Sequence, residues 1–433
     1  MRPSAARQSK LFVNPLPRSD RKRVLVIAPH SSYRTPAFLD AGERLDIEVV
    51  IASEGKHSVV AAYAAGVHID LNDIEGALQA IVNDPSERPF EGVVGTDDLT
   101  IELAARVAQK LGLPHNPPEA VRTASRKDLA RDILAEHGVS VPKHCRIDLR
   151  QSLAAQAEHL HFPCVLKPLT LSASRGVIRA NDVGEFLQAC ARIQRLLETE
   201  GVSEPYQLLA EDFIPGAEVA LEGMLTESEL TVLSIFDKPD PLDGPYFEET
   251  YYVTPSRLDA ATQASIEEVV GDACRAYGLR DGPIHAECRI NDDGVWILEV
   301  AARTIGGLCG RLLDLGIGRS LEELVLSHAM GRPLAPAIDS RGGAGVLMIP
   351  TPKAGILRRV EGLTAAQRVP FVDEVSIQVR EGYELVPWPE GSSYLGFIFA
   401  HAPTPAQAEA ALREAHARLN IVVAPLWSLN KRD

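Results

Sequence analysis

The sequence predicts a multidomain protein of mixed α/β and α+β class: a doubly wound N-terminal α/β domain, a two-part middle region and a closing α+β domain. Three observations carry that prediction. Apolar strand-like runs alternate with helical stretches as far as Pro117, the pattern of a parallel sheet covered on both faces. A hairpin backed by a glycine-rich loop stands at residues 284–310. The 433 residues exceed what one ordinary core organises, so two or three domains are expected.

Residues 1–22 carry Arg2, Arg7, Lys10, Arg18, Arg21 and Lys22 against Asp20, with Pro3, Pro15 and Pro17 between them, and are expected to form a disordered leader. Arg23-Val-Leu-Val-Ile-Ala-Pro-His30 is a continuous apolar run suited to a buried parallel strand. Further strands are predicted at Ile47–Ser53, Val67–Leu71 and Gly92–Gly95, with helices through Leu39–Leu45 and Leu99–Leu111. These elements make an expected domain over 23–117. Asp97 and Asp98 are expected to cap the helix that follows them. No G-x-G-x-x-G follows the first strand, which disfavours dinucleotide binding there.

The middle region divides into expected parts at 118–205 and 206–340. Thr123–His137 reads as one helix with Leu129, Ile133 and Leu134 along one stripe, closed by Gly138-Val-Ser-Val-Pro142. Phe162-Pro-Cys-Val-Leu-Lys-Pro168 is a short strand carrying Lys167 at its end, followed by Leu169-Thr-Leu-Ser-Ala-Ser-Arg-Gly176. That loop has the hydroxyls of Ser172 and Ser174, Arg175 and Gly176 where backbone N–H groups could cradle phosphates. It is not a Walker A loop. Leu208 to Glu222 reads as strand, tight Pro-Gly turn, strand, with Glu211 before the turn and Glu218 after it. The Pro- and aromatic-rich stretch Asp237–Pro255 reads as a loop covering a site. Ala261–Tyr277 is an amphipathic helix leading into the hairpin. Ser320 and Glu323 make a capping box for a helix reaching about Met330, and Pro333 and Pro336 mark a linker. The closing domain, 341–433, should hold strands near Gly345–Ile349, Val372–Val379 and Leu395–Ala400 and a helix from Pro405 to Leu419.

Composition bounds the function. Apolar residues make up 45% of the chain and charged ones 24%, ordinary for a globular protein, and no apolar run has the length of a membrane span. A net charge of −15 argues against a nucleic-acid partner, which wants a basic face. The six cysteines are scattered without a C-x-x-C pair, which reads as reduced, mostly buried thiols in a cytoplasmic protein.

The chemistry gathers at the hairpin. Arms at Ile284–Ile290 and Val295–Val300 flank Asn291-Asp-Asp-Gly294, and a three-residue loop with Gly294 left-handed would set Glu287 opposite Glu299. Two carboxylates would then stand about 5 Å apart on one face, which is destabilising unless a cation sits between them. Mg²⁺ takes such hard oxygen ligands together with phosphate oxygens and water. Lys127 and Lys167 supply positive charge for nucleotide phosphates. Arg303, beside Gly306-Gly307, suits a transferring phosphoryl group or an oxyanion. No Ser-His-Asp or Cys-His arrangement is present that would supply a protein nucleophile.

Four motifs in order, Ser125-Arg-Lys-Asp128, Val165-Leu-Lys-Pro168, Glu211-Asp-Phe-Ile-Pro-Gly-Ala-Glu218 and Glu287 followed by Glu299-Val-Ala-Ala-Arg303, carry a family resemblance. From about Val24 to Gly343 the chain resembles the ATP-grasp superfamily of carboxylate–amine ligases. It is most similar to the L-amino-acid ligases, whose C-terminal domain Gly342–Val423 resembles. The resemblance implies an ATP-grasp fold, ATP as cofactor with Mg²⁺ (Mn²⁺ as a substitute), and a small-molecule carboxylate and amine as partners. No nucleic acid or membrane partner is implied, and a homodimer is left open. It implies that Lys127, Lys167 and the loop residues Ser172, Ser174, Arg175 and Gly176 meet ATP phosphates. Glu211, Asp212, Phe213 and Ile214 would meet the adenine, and Glu218 the ribose. Glu287 and Glu299 would hold the metal and, with Arg303, form the catalytic set; His285, Gly306 and Gly307 would face substrate.

Two departures from the family pattern matter. Ala301 stands where relatives often have an Asn that binds a second Mg²⁺, and Gly176 is the sole glycine in a loop where relatives often carry several. The implied reaction is ATP-dependent ligation through an acyl phosphate. The alternatives are an ATP-grasp enzyme using bicarbonate or formate, and a nucleotide-binding module without catalysis.

Overall fold

The computed structural model describes residues 20–30, 32–54, 66–84, 88–203, 206–333 and 342–426. Residues 1–19 of the expected leader and 334–341 of the expected linker lie outside the described residues. Two compact units are present, Met1–His115 with Glu322–Leu334, and Asn116–Leu321 with Ala335–Asp433.

The first unit is the doubly wound domain. Its elements run β1 (Lys22–Ile27), α1 (Thr35–Leu45), β2 (Ile47–Ser53), β3 (Gly66–His68), α2 (Ile74–Val82), β4 (Gly92–Gly95) and α3 (Ile101–Leu111). Lys22, placed in the leader by sequence, opens β1 and pairs with Ile47. The strands form a parallel sheet in the order β3-β2-β1-β4. Leu25, Ile27, Val50, Leu103 and Val107 fill its core, as continuous apolar strands require. Asp97 and Asp98 do not cap α3. They lie too early: Thr100 holds the N-cap position, and Asp97 instead accepts from the Leu99 N–H at 3.2 Å and from the Thr96 hydroxyl at 3.0 Å.

The second unit opens with α4 (Pro118–Ser125) and α5 (Lys127–Glu136). The single helix expected over Thr123–His137 is thus two, broken at Arg126, whose backbone is extended and whose guanidinium holds both oxygens of Asp128 at 3.1 Å. The break puts Lys127 at the first turn of a new helix. Next come β5 (His144–Asp148), α6 (Leu153–Ala157), β6 (Cys164–Pro168), β7 (Ile178–Ala180), α7 (Val183–Thr199) and β8 (Gln207–Asp212). They build an antiparallel sheet, β5-β8-β6-β7, packed on α7 through Leu166, Ile178, Phe186, Ile193 and Leu208.

The chain then crosses to a second sheet. Its elements are β9 (Ala217–Thr226), β10 (Glu229–Lys238), β11 (Tyr251–Thr254), α8 (Ala260–Tyr277), β12 (Gly282–Asn291), β13 (Gly294–Ala301), α9 (Arg311–Ile317) and α10 (Leu321–Ala329). The latter helix begins directly after Ser320, at the position expected from the sequence, and all but its first residue belong to the first unit. The closing region adds β14 (Gly343–Ile349), β15 (Gly355–Glu361), α11 (Leu363–Gln367), β16 (Val372–Ile377), β17 (Glu384–Leu385), β18 (Gly396–Ala402), α12 (Pro405–Ala417) and β19 (Asn420–Ala424).

The boundary expected at residue 341 cuts the chain but not the sheet. Tyr251–Thr254 pairs with Ala344–Leu347, so β13-β12-β9-β10-β11-β14-β18-β16 is one eight-stranded sheet. The stretch read as a covering loop supplies this joint: its ends are the strands β10 and β11, and only the residues between them are irregular. Cys145 is exposed, the remaining cysteines are buried, and none forms a disulfide. No helix among the described residues is long and apolar enough to cross a membrane.

Candidate active site

A cavity opens between the β5-β8-β6-β7 sheet and the β9, β12 and β13 edge of the larger sheet. Its positive wall comes from the first sheet. Lys127, at the start of α5, donates to the Leu171 carbonyl at 2.9 Å and stands 3.7 Å from Glu299. Lys167, on β6, pairs with Glu211 on the neighbouring strand at 2.6 Å. Arg131, one helical turn after Lys127, donates to the other Glu211 oxygen and to the Leu298 carbonyl. Burial opposes ionisation of Glu211, but Arg131 and Lys167 outweigh it and bring its pKa down to about 2.

The crossing from β8 to β9 carries Asp212, Phe213 and Ile214 along the cavity. Here the Pro-Gly turn joins strands of different sheets, so it is no hairpin. Gly216 adopts φ +128°, and a Cβ there would meet the Ile290 carbonyl at 2.1 Å. The Phe213 ring lies between the Arg179 and Arg289 guanidinium groups, 4.1 and 5.0 Å from its centroid.

The acidic floor is a cross-strand pattern. Lys238 on β10, Glu218 on β9 and Arg289 on β12 are register neighbours, so opposite charges alternate across three strands. Lys238 Nζ lies 2.9 Å from Glu218, 2.5 Å from Glu249 and 2.9 Å from Glu287; Arg289 Nε lies 3.0 Å from Glu218. Burial raises the pKa of Glu287, but Lys238 and His285 outweigh it and hold the group well below the carboxylate range. Burial and the adjacent Glu287 push Glu249 up to about 8. Carboxylate oxygens of Glu218, Glu249 and Glu287 lie within 4.8 Å of one another, gathered around the Lys238 ammonium group.

Glu287 does pair with Glu299, but by a different route from the one expected. Asn291 pairs with Gly294, leaving a two-residue turn, and the extra residue sits instead in a bulge at Leu298, between the Cys288–Ile297 and Glu287–Glu299 pairs. Without the bulge, a two-residue turn would place Leu298 opposite Glu287 and turn Glu299 to the other face. Arg131 takes the bulge carbonyl, and Leu298 and Glu299 both line the cavity.

His285, Gly306, Gly307 and Arg303 do not line this cavity. His285 is 6% exposed and sits 3.3 Å from Glu222 and 3.8 Å from Glu287. Burial lowers its pKa, but the two carboxylates outweigh that and raise it to about 9. Glu222 in turn accepts the Ile305 N–H at 3.1 Å, so His285 links the acidic floor to the loop holding Arg303. Arg303 donates to the Thr304 carbonyl at 3.1 Å. Gly307 has φ +60° beside Met348. Ala301, paired with His285, is 5% exposed and offers no ligand atom.

Within the loop after Lys167, Ser172 and Ser174 line the cavity while Arg175 and Gly176 face elsewhere. Arg175 pairs with Glu200 at 2.6 Å and reaches the Glu390 carbonyl at 3.2 Å, and the Gly176 N–H donates to the Pro389 carbonyl at 2.9 Å. Trp388 Nε1 donates to the Ala173 carbonyl at 3.1 Å. A strap from the closing region therefore holds a loop in which Ala173 and Ser174 both have positive φ. Removing one neutral hydrogen bond costs about 1 kcal/mol. Trp388→Phe should accordingly speed protease cleavage within residues 169–176 roughly fivefold, read by mass spectrometry of the fragments.

Sequence reasoning missed Arg131, Lys238, Glu249 and Arg289. Arg131 lies four residues past Lys127, one turn along the same helix face. Arg289 lies two residues past Glu287 on the same strand face. Lys238-Pro239 repeats the strand-ending Lys167-Pro168 pattern. Glu249 had no comparable signal, because an irregular segment places it.

Comparison with known proteins gives three family matches: an ATP-grasp domain at residues 160–311, an ATP-grasp N-terminal domain at 39–115 and the L-amino acid ligase C-terminal domain 2 at 347–424. The uncharacterized protein y4rH of Sinorhizobium fredii (strain NBRC 101917 / NGR234) is 23% identical over 95% of this chain and 85% of its own. Alanine–anticapsin ligase of Bacillus subtilis (strain 168) is 25% identical over 54% of this chain, which spans 52% of that protein's length. The crystal structure of L-amino acid ligase from Bacillus licheniformis superposes with a TM-score of 0.81 at 27% identity, covering 93% of this chain and 99% of that one.

Proposed function

We propose that this chain, which belongs to the ATP-grasp superfamily, is an ATP-dependent ligase that joins a carboxylate, in the first instance an amino acid's, to an amine. The carrying observation is the convergence of Lys127 and Lys167 on one wall of the cavity with Glu218, Glu249, Glu287 and Glu299 opposite. That arrangement suits a polyphosphate met by ammonium groups on one side and by a carboxylate-held cation on the other. Mg²⁺, with Mn²⁺ as substitute, would be held by Glu287 and Glu299 and would neutralise phosphate charge.

The substrate carboxylate oxygen attacks the γ-phosphorus in line, and the bond to the β-phosphate bridging oxygen breaks to release ADP. The amine nitrogen then attacks the acyl carbon, loses a proton, and phosphate leaves. Lys127 and Lys167 hold the phosphates, and Ser172 and Ser174 cover them. Asp212 to Ile214 border the base. His285 positions Glu287. Arg303 is assigned to the acyl phosphate, on the loop that Glu222 fixes. The protein's share is placement and charge, since the nucleophiles belong to the substrates.

An ADP-release screen over pairs of amino acids and small carboxylates, with product masses read, tests this. Release that needs both partners, with a product mass equal to their sum less one water, is expected. ADP release driven by bicarbonate or formate alone, or nucleotide binding without turnover on any pair, would overturn the reading.

A further inference from the structure

Ser172, Ala173 and Ser174 line the cavity, and the loop that carries them is held by residues that do not. Three consecutive residues of the closing region meet it. Trp388 Nε1 donates to the Ala173 carbonyl at 3.1 Å, the Pro389 carbonyl accepts the Gly176 N–H at 2.9 Å, and the Glu390 carbonyl accepts from Arg175 Nε at 3.2 Å. The sole glycine of the loop thus gives its N–H to this strap and not to the cavity. A second tie comes from the irregular segment between β10 and β11. There the Pro245 carbonyl accepts the Arg179 N–H at 2.9 Å, and the Asp243 carbonyl accepts from the Arg179 guanidinium at 2.7 Å. Both ties end on one side chain of α7. Arg192 donates through Nε and Nη2 to the two oxygens of Glu390 at 2.5 and 2.7 Å. It also donates to the Tyr246 hydroxyl and lies 4.9 Å from the centroid of that ring. The fork onto Arg192 holds the Glu390 carboxyl below its ordinary range.

We propose that Arg192, Glu390 and Tyr246 are positioning residues for the nucleotide: they form a clasp that keeps the 169–176 loop down over the phosphates and sets how fast ADP leaves. The inference rests on the nucleotide-binding reading above. A loop that covers phosphates has to lift before product can go. Helix α7 packs on the small sheet that carries this loop, so when the two lift together Arg192 moves away from Glu390 and Tyr246. Those partners stay behind with the larger sheet and the closing region. A two-bond fork lets go only when both bonds are lost, so the clasp favours the closed loop without placing any group in the cavity. Arg192 and Glu390 are 35% and 38% exposed, so removing either charge leaves no buried ion without a partner. The effect then falls on closure and not on folding.

The measurement is the dissociation rate of N-methylanthraniloyl-ADP from the intact chain with Mg²⁺, chased with excess ADP in a stopped-flow fluorimeter. Glu390→Gln should release it about fivefold faster, the scale of one well-formed exposed ion pair. The same variant should raise KM for ATP and leave KM for the acid and the amine unchanged. Arg195, one turn along α7, donates to the Ala191 carbonyl at 3.3 Å and stands outside the clasp. Arg195→Gln should therefore release the probe at the natural rate. Tyr246→Phe removes one hydroxyl from the other side of Arg192 and should speed release in the same direction as Glu390→Gln. Release from Glu390→Gln at the natural rate, or an equal rise in Arg195→Gln, would overturn the proposal while leaving nucleotide binding in place. Where Glu390→Gln does not fold, an unchanged rate in Tyr246→Phe would count against it in the same way. If the natural protein binds no labelled ADP, the nucleotide reading itself falls, and this inference with it.

Discussion

Replacing Glu287 by glutamine is expected to lower ADP release on the best substrate pair by at least ~10³-fold, the scale of several kcal/mol of lost charge stabilisation at a phosphoryl group. Glu287 is where three features of the site meet: it faces Glu299 across the hairpin, accepts from Lys238 at 2.9 Å, and has His285 3.8 Å behind it. Glutamine keeps the shape and loses the charge. Lys238 retains Glu218 and Glu249 as partners, and the crowding of Glu249 by Glu287 disappears. The melting temperature of Glu287→Gln should fall, because Lys238 and His285 lose a carboxylate whose charge they stabilise, while the fold persists, so activity is compared well below that temperature. Glu299→Gln should lose turnover as well, since its carboxylate is the partner across the same face. ADP release near the natural rate in either variant would refute the metal assignment.

The largest stability effect is expected at Arg131. Arg131→Met leaves two buried groups short of a partner: an oxygen of Glu211, which is 3% exposed, and the bulge carbonyl of Leu298. Breaking a buried pair from one side costs about 3–5 kcal/mol, measured as a shift in the urea midpoint at constant slope. The effect has a pH signature. Glu211 has an ordinary value of 4.5 and a folded value of about 2, so the stability it contributes is fully present above 4.5 and is lost as pH falls toward 2. Without Arg131 the folded value rises, and this part of the acid unfolding profile should flatten. Arg131→Lys keeps the charge and loses the fork, so it should fall between the two. A midpoint for Arg131→Met within about 0.5 kcal/mol of the natural protein would show that the network is not what holds the two sheets at this point.

Much of this architecture was legible in the chain, and the reasons differ by element. Strands such as Ile47–Ser53 and Gly92–Gly95 were found because burial on both faces demands unbroken apolar runs. The facing of Glu287 and Glu299 was reached through a three-residue turn that is not there; the turn has two residues, and the extra one at Leu298 restores the same pairing. The break at Arg126 was missed because the stripe that marked the helix, Leu129, Ile133 and Leu134, lies wholly beyond it; at the break stands a polar clamp onto Asp128 that no periodicity records. The fusion of the closing region into the main sheet was missed for a similar reason. Strand pairing over this distance in sequence is written in no local pattern, and Tyr251–Thr254 looked like the end of a loop. Within the site, Lys127, Lys167 and the glutamates could be named from motif order. Lys238 and Glu249 depend on where β10 ends and where an irregular segment returns.

The bulge at Leu298 has a consequence for how lengths are set in the cleft. A regular strand alternates its faces, so it shows a given surface one side chain in two. Here two consecutive residues, Leu298 and Glu299, both reach the cavity, one apolar and one anionic. Their Cα atoms are held about 3.8 Å apart by the peptide unit itself. The greasy wall that would meet a flat base and the carboxylate that would meet a metal therefore spring from adjacent positions of one strand. Side chains on separate loops have no such tie; this pair stays together wherever its strand goes.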